Sequence, residues 1–214
     1  MFGFSPSSSP SSSFRYNVCN RRQLIIATGI ATTLLFPASP SLARAPGSKD
    51  IVASIQQIQD AADSLRHLVN DDKWSQYTVI DTEGRAGSTD GARRILGGIA
   101  PMAGSAAINA AKNTPLYRID VAFVTVRKAI LEDNADEKWT AAMDLDRFEE
   151  LADRIIYNTQ KADGNFYSVL FAQKGTKMIN DIFIETKTLV KQAIMDFDEM
   201  IKLLENASAP GFQL

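Results

Sequence analysis

Four apolar stripes at helical spacing constrain this chain more than any other feature. In the first, Ile51, Ile55, Ile58, Ala62, Leu65 and Val69 recur at alternating steps of four and three, the period of one helix face. Leu116, Ile119, Phe123, Val126 and Ile130 form a second stripe. Leu145, Phe148, Ala152 and Ile155, widened by Leu151 and Ile156, form a third. The longest carries Ile179, Ile182, Thr186, Leu189, Ala193, Phe197, Met200 and Leu204, and predicts a helix from about Thr176 to Asn206. Each such helix must bury its one apolar face against others. The expected fold is therefore all-α, an antiparallel up-down four-helix bundle.

Punctuation residues set the expected boundaries. Ser48 is placed to cap the first helix and Asp144 the third. Thr114-Pro115 combines a capping hydroxyl with proline at the first helical position, a start signal for the second. The β-branched run Val121 to Val126 leaves a strand open there, although the long stripe favours helix. Gly164 suits a helix end, and Pro210-Gly211 suggests that the tail 207–214 frays. Trp74, Tyr77 and Ile80 extend the apolar surface through a looser piece. Between the first and second helices the chain turns polar and glycine-rich from Asp81 to Gly91, then carries no charge from Ile95 to Ala111. Gly97, Gly98, Pro101 and Gly104 break that stretch into a short helix near Ala92–Ile99 and a second short piece.

Ahead of the helical region stands a leader with a different logic. The first acidic residue of the chain is Asp50, and residues 1–49 hold Arg15, Arg21, Arg22, Arg44 and Lys49 and no acid. Arg21-Arg22 directly precedes an uncharged run, and Ala43-Arg44-Ala45 follows as a small-x-small cleavage signal, with Ser41-Leu42-Ala43 as a second option. Leu24 to Phe36 is 13 residues, short of the roughly 20 that span a bilayer. The Ser-rich segment before the arginine pair reads as an organelle transit peptide. The expected organisation is a removed two-part leader over 1–45, the helical domain over 46–206 and the tail. The address is the plastid stroma, then the thylakoid lumen by the twin-arginine route.

Removing residues 1–45 takes four of 23 basic residues and no acid, so 19 remain against 25 and the balance is −6. Such a domain offers no basic field for nucleic acid or anionic lipid. The only cysteine, Cys19, lies in the leader, which removes disulfides, thiolate nucleophiles and Cys-based metal sites from the domain.

The sequence offers few groups for catalysis. His67 is the only histidine and falls off its helix's stripe, as a solvated residue does. Histidine titrates in the range an acidifying compartment crosses, which leaves a pH-sensing role open. No Gly-x-Ser-x-Gly turn or Glu-x-x-His pair is present. Glu132, Asp133, Asp136 and Glu137 cluster in one loop without EF-hand spacing, which reads as a solvated acidic turn before a calcium site. Gly97-Gly98 and Lys174-Gly175-Thr176 lack the rest of a phosphate-binding loop. Trp74 and Trp139 read as plugs of the helical core, with a pigment platform as the alternative. No catalytic residue, cofactor, metal or small-molecule substrate is predicted.

Against the acidic background, Arg85, Arg93 and Arg94 lie in or beside the glycine-rich loop, just before Ile95 and Leu96. This basic-then-apolar segment suits docking on an acidic partner, since arginine pairs carboxylates bidentately. The alternative is intramolecular pairing with Asp63, Asp71 or Asp72.

The segment Asp90-Gly91-Ala92-Arg93-Arg94-Ile95-Leu96-Gly97 resembles a Gly-x-x-Arg-Arg-x-Leu-Gly segment of small thylakoid-lumen proteins. These include the plant lumenal protein that maintains photosystem II in strong light and the extrinsic four-helix subunit of diatom photosystem II. The layout of residues 50–206 is similar too, and the architecture is similar to PsbQ. The resemblance implies a non-enzymatic protein, peripheral to the thylakoid membrane, whose partners are lumenal subunits of photosystem II. It would support assembly, repair or oxygen-evolving-complex stability. A PsbQ-like subunit of the NDH or photosystem I complex is the alternative.

Overall fold

The computed structural model describes residues 50–98, 112–132, 138–172 and 175–212. The leader with Arg21, Arg22, Ala43 and Ala45, the cap Ser48, the break at Pro101 and the acids Asp133, Asp136 and Glu137 lie outside the described residues. The described chain is all-α, with seven α-helices, one 3-10 turn and a single antiparallel bridge between Ile80 and Ala86.

Helix α1, Ile51–Val69, starts at Asp50, whose carboxylate accepts the amides of Val52 at 3.0 Å and Ala53 at 3.5 Å. It ends at Asn70, which caps α2 (Asp71–Tyr77) by accepting the Asp72 amide. The expected loose piece is thus a helix, and Trp74 on it is buried. Helix α3, Asp90–Ile95, is short.

Helix α4 runs Ile119–Leu131, so it begins later than Thr114-Pro115 suggests. Residues 114–118 form tight turns instead, with Tyr117 donating to Thr114 and Ile119 to Leu116. Arg118 is left-handed at φ 54°. The cause is tertiary. The Gln57 side-chain amide of α1 donates to the carbonyls of Pro115 at 2.8 Å and Tyr117 at 3.2 Å. Those acceptors are thereby satisfied without a helical turn.

Helix α5, Lys138–Ala142, buries Trp139. Helix α6, Leu145–Ser168, is capped by Asp144 as expected, its carboxylate taking the Arg147 amide at 3.0 Å. It does not end at Gly164. It continues to Ser168 and into a 3-10 turn, Val169–Phe171, because Phe166 on the next turn is fully buried. The Phe166 ring lies 5.6 Å from Trp74 and 6.1 Å from Phe183. Packing of that size outweighs the ~1 kcal/mol helix penalty of a glycine.

Helix α7 runs Thr176–Asn206, as the stripe predicts. Its buried seam passes through Phe183 and Val190, while the expected Ile182 and Leu189 flank it half-buried. The tail is anchored through Phe212. Ala207 donates to Leu203 and Ala209 to Leu204, Ala207 and Ala209 are buried, and Phe212 packs on the core. The turn that Ser208 makes at φ 57° returns the chain to α7, which corrects the expectation of fraying.

Helix α6 lies antiparallel to α7. Arg147 meets Glu199 near one end and Lys161 meets Glu185 near the other. Helix α1 packs on α4 and α7, and α4 packs on α6. The shared core holds Phe123 against Phe148 and Phe197, each at 6.2 Å between ring centres.

Candidate docking site

Five residues of the 85–96 segment carry the docking expectation, and the fold separates them. Thr89 opens the segment by donating its buried hydroxyl to the Phe166 carbonyl of α6 at 3.0 Å. Four residues on, Arg93 projects from α3 onto the same stretch of α6. Its Nε donates to Asp163 Oδ1 at 2.8 Å and its Nη2 to Asp163 Oδ2 at 3.2 Å. The guanidinium also lies 4.8 Å from the Tyr167 ring centre, a cation–π stack one turn beyond the ion pair. Arg93 is only 5% exposed. This is a bidentate clamp between α3 and α6. Its partner is Asp163, neither an outside surface nor the expected helix-one acids.

Two of those acids are engaged elsewhere. Asp63 holds Arg66, which also holds Asp198, and Asp71 holds Lys187 at 2.9 Å. The hydrogen bond from Lys187, then its charge, holds the Asp71 carboxyl below the usual carboxylate range. Asp72 lies exposed at the start of α2.

The other members sort by burial. Leu96 is buried and Ile95 packs half-buried against the core, so the apolar pair seats α3 and does not face outward. Arg94 is exposed, and no ion pair of it forms among the described residues. Arg85 is exposed and pairs with Glu83 at 2.9 Å. Arg93, Ile95 and Leu96 therefore serve the fold, and the outward surface of the segment is Arg85 and Arg94.

The glycines explain why the clamp closes. Gly97 sits at φ +80°, with the Leu116 carbonyl 2.8 Å from where a Cβ would stand. A Cβ at Gly98 would overlap the Asp163 carboxylate, and one at Gly91 would overlap the Tyr77 ring. The amides of Leu96, Gly97 and Gly98 return to the carbonyls of Ala92, Arg94 and Arg93, ending α3 against the carboxylate it grips. Segment 90–98 thus joins α2, α6 and the turn before α4.

The remaining candidates resolve simply. His67 is exposed. Trp74 and Trp139 are buried core residues, and Lys187 Nζ stands 5.5 Å from the Trp74 ring centre. A shallow, open depression is lined by Val69, Asn70, Asp71, Asp72, Lys187 and Lys191. Among the described residues, no cluster of three or more His, Cys, Asp or Glu could hold a metal ion. No helix among them is long and apolar enough to cross a membrane.

One buried polar centre escapes a stripe analysis. Asp196, 1% exposed, lies between α6 and α7. It accepts from Asn158 at 3.3 Å, Gln192 at 3.1 Å and Arg154 at 2.6 Å. Its only sequence signal is the i, i+4 spacing of Arg154 with Asn158 and of Gln192 with Asp196 on facing helices.

In comparisons with family models, curated proteins and solved structures, nothing matches the chain.

Proposed function

We propose that this chain is a non-enzymatic protein of the thylakoid lumen that docks on the lumenal side of photosystem II. There it supports assembly, repair or stability of the oxygen-evolving complex. One observation carries the reading: the order of parts, a leader with Arg21-Arg22 followed by an all-α domain bearing segment 90–97. That segment, the one that resembles lumenal photosystem II proteins, has a defined job in the fold: Arg93 pairs with Asp163, Leu96 is buried, and Gly91 and Gly97 leave no room for a Cβ. We read the four long helices α1, α4, α6 and α7 as an up-down bundle. Support comes from the antiparallel ion pairs of α6 with α7 and from Arg66–Asp198 and Asp71–Lys187, which run antiparallel along α7. The action is steric and electrostatic, a rigid helical body presenting a surface.

The test is fractionation of intact plastids, then native gel electrophoresis of solubilised thylakoids with an antibody to the chain. The account expects a shortened chain in the lumen, migrating with photosystem II and released by a salt wash. Migration with the NDH or photosystem I complex would replace the partner. A full-length chain in the stroma would end the proposal.

A further inference from the structure

Two Asp-Gly links occur in the chain, Asp90-Gly91 and Asp163-Gly164, and the fold treats them in opposite ways. Asp-Gly is the link at which an aspartate rearranges most readily, because glycine has no Cβ to keep its amide nitrogen from the preceding side-chain carboxyl. The rearrangement needs a carboxyl without firm partners, an amide without a hydrogen bond, and a backbone that can leave the helical ψ at the aspartate. At Asp163 all three are denied. Both carboxylate oxygens are held by Arg93, at 2.8 and 3.2 Å. Gly164 lies inside α6, where its amide is committed to the carbonyl four residues back. The buried Phe166 two residues on holds that backbone in place.

At Asp90 all three are met. Its side chain is exposed, and no ion pair of it forms among the described residues. Asp90 opens α3, so the Gly91 amide, in the first turn, has no acceptor within the helix. Helix α3 is six residues long, below the roughly 12 that sustain an isolated helix. Thr89 gives it no side-chain cap, since that hydroxyl donates to the Phe166 carbonyl instead. The first turn can therefore fray while Arg93 and Leu96, further on, stay seated.

We propose that Asp90-Gly91 is a site of spontaneous isoaspartate formation, and that the change loosens segment 90–98 from α6. The Gly91 amide nitrogen attacks Cγ of Asp90 and forms a C–N bond, and the carboxyl hydroxyl leaves as water with the amide proton. The product is a five-membered succinimide. Water then attacks the former main-chain carbonyl carbon of Asp90 and breaks its bond to the Gly91 nitrogen. That frees the α-carboxylate and leaves the chain running through Cβ and Cγ. The water lost in closing the ring is regained in opening it, so the step is an isomerisation and consumes no other reactant. One methylene thereby enters the main chain between Thr89 and Arg93. The Arg93 amide donates to the Thr89 carbonyl at 3.0 Å to close the first turn, and a helical turn does not close at its normal size with an extra backbone atom inside it. Arg93 is also the residue that grips Asp163, so the altered turn pulls on the clamp. The site is independent of the photosystem II reading.

Trypsin places the two links on separate peptides, 86–93 and 162–174. The folded chain is held for weeks in neutral buffer made with heavy-oxygen water, which leaves a heavy oxygen at each ring opening. Electron-transfer fragmentation of the peptides then separates isoaspartate from aspartate. The expected result is isoaspartate in 86–93 at about tenfold or more above 162–174, the gap between a fraying turn and a mid-helix site. In urea the two peptides should become alike. Asp90→Glu keeps the charge but cannot close the five-membered ring, and should abolish the signal in 86–93; circular dichroism confirms that it is folded. Hydrogen exchange of 90–98 should be faster in the isomerised fraction than in Asp90→Glu aged alongside it. Equal accumulation in both peptides of the folded chain, or formation in 86–93 only in urea, would overturn the site. An isomerised chain whose 90–98 segment exchanges as slowly as that of Asp90→Glu would overturn the loosening.

Discussion

Replacing Arg93 with alanine isolates the clamp that holds the 90–98 segment on α6. The substitution removes both hydrogen bonds to Asp163, at 2.8 and 3.2 Å, and the stack on Tyr167. It leaves a carboxylate whose side chain is 25% exposed facing the space the guanidinium filled. Breaking a buried pair by removing one partner costs about 3–5 kcal/mol. Partial exposure lets water reach Asp163, which lowers that to about 2–3 kcal/mol. Losing the cation–π contact and the packed arginine stem adds about 0.5–1 kcal/mol. The total is about 3 kcal/mol. At roughly 2–4 °C per kcal/mol for a domain of this size, the midpoint of thermal unfolding falls by about 6–12 °C. Arg94→Ala, one residue away but exposed, should stay within about 0.5 kcal/mol. Urea unfolding followed by circular dichroism measures both, and an Arg93–Asp163 double-mutant cycle should return a coupling of at least about 1.5 kcal/mol. Equal losses for the two arginines, or a coupling near zero, would refute the clamp.

Further outcomes follow from single positions. Gly164→Ala should stabilise the chain by about 0.5–1 kcal/mol in the same urea assay, since the residue is exposed within α6 and a Cβ there meets nothing within 4 Å. Gly98→Ala should destabilise by about 1–3 kcal/mol, because the new methyl overlaps the Asp163 carboxylate. Phe197→Ala should cost about 3–5 kcal/mol, as its ring is fully buried and packs on Phe123. The Asp71–Lys187 pair has a definite pH signature. The carboxyl is depressed by its hydrogen bond to Lys187, then by that lysine's charge. Its contribution is therefore present above the ordinary carboxylate range and lost only as pH falls through the lower folded value. Lys161, raised by its hydrogen bond to Glu185 and then by that charge, contributes fully below the ordinary lysine range and loses its contribution only as pH rises through the raised value. Neither pair should change unfolding stability between about pH 5 and 8. A loss at pH 5 that Asp71→Asn abolishes would contradict this.

The elements legible in the sequence are those set by local pattern. Helix α7 occupies its expected span because the eight stripe positions from Ile179 to Leu204 keep one period along a helix of 31 residues. Asp144 caps α6 because its side chain needs only its own backbone neighbours. Misreadings arise where a distant group decides. Thr114-Pro115 is a sound start signal, yet Gln57, nearly sixty residues away, takes the carbonyls that a helix would use. Gly164 is a sound stop signal, yet the burial of Phe166 carries α6 past it. The tail is rich in turn residues, yet Ala209 and Phe212 find the core. The site follows the same rule. Basic and apolar residues at 85–96 are visible in the sequence, but which arginine faces inward depends on Asp163, seventy positions from Arg93.

Central to this account is that segment 90–98 belongs to the folded core and is not a mobile docking loop. Native-state hydrogen exchange, read by mass spectrometry on peptides covering 90–98 and 150–168, tests that directly. The amides of Leu96, Gly97 and Gly98, bonded to Ala92, Arg94 and Arg93, should exchange as slowly as those of α6 and become fast in Arg93→Ala. Rapid exchange of 90–98 in the unaltered chain, with α6 still protected, would contradict it.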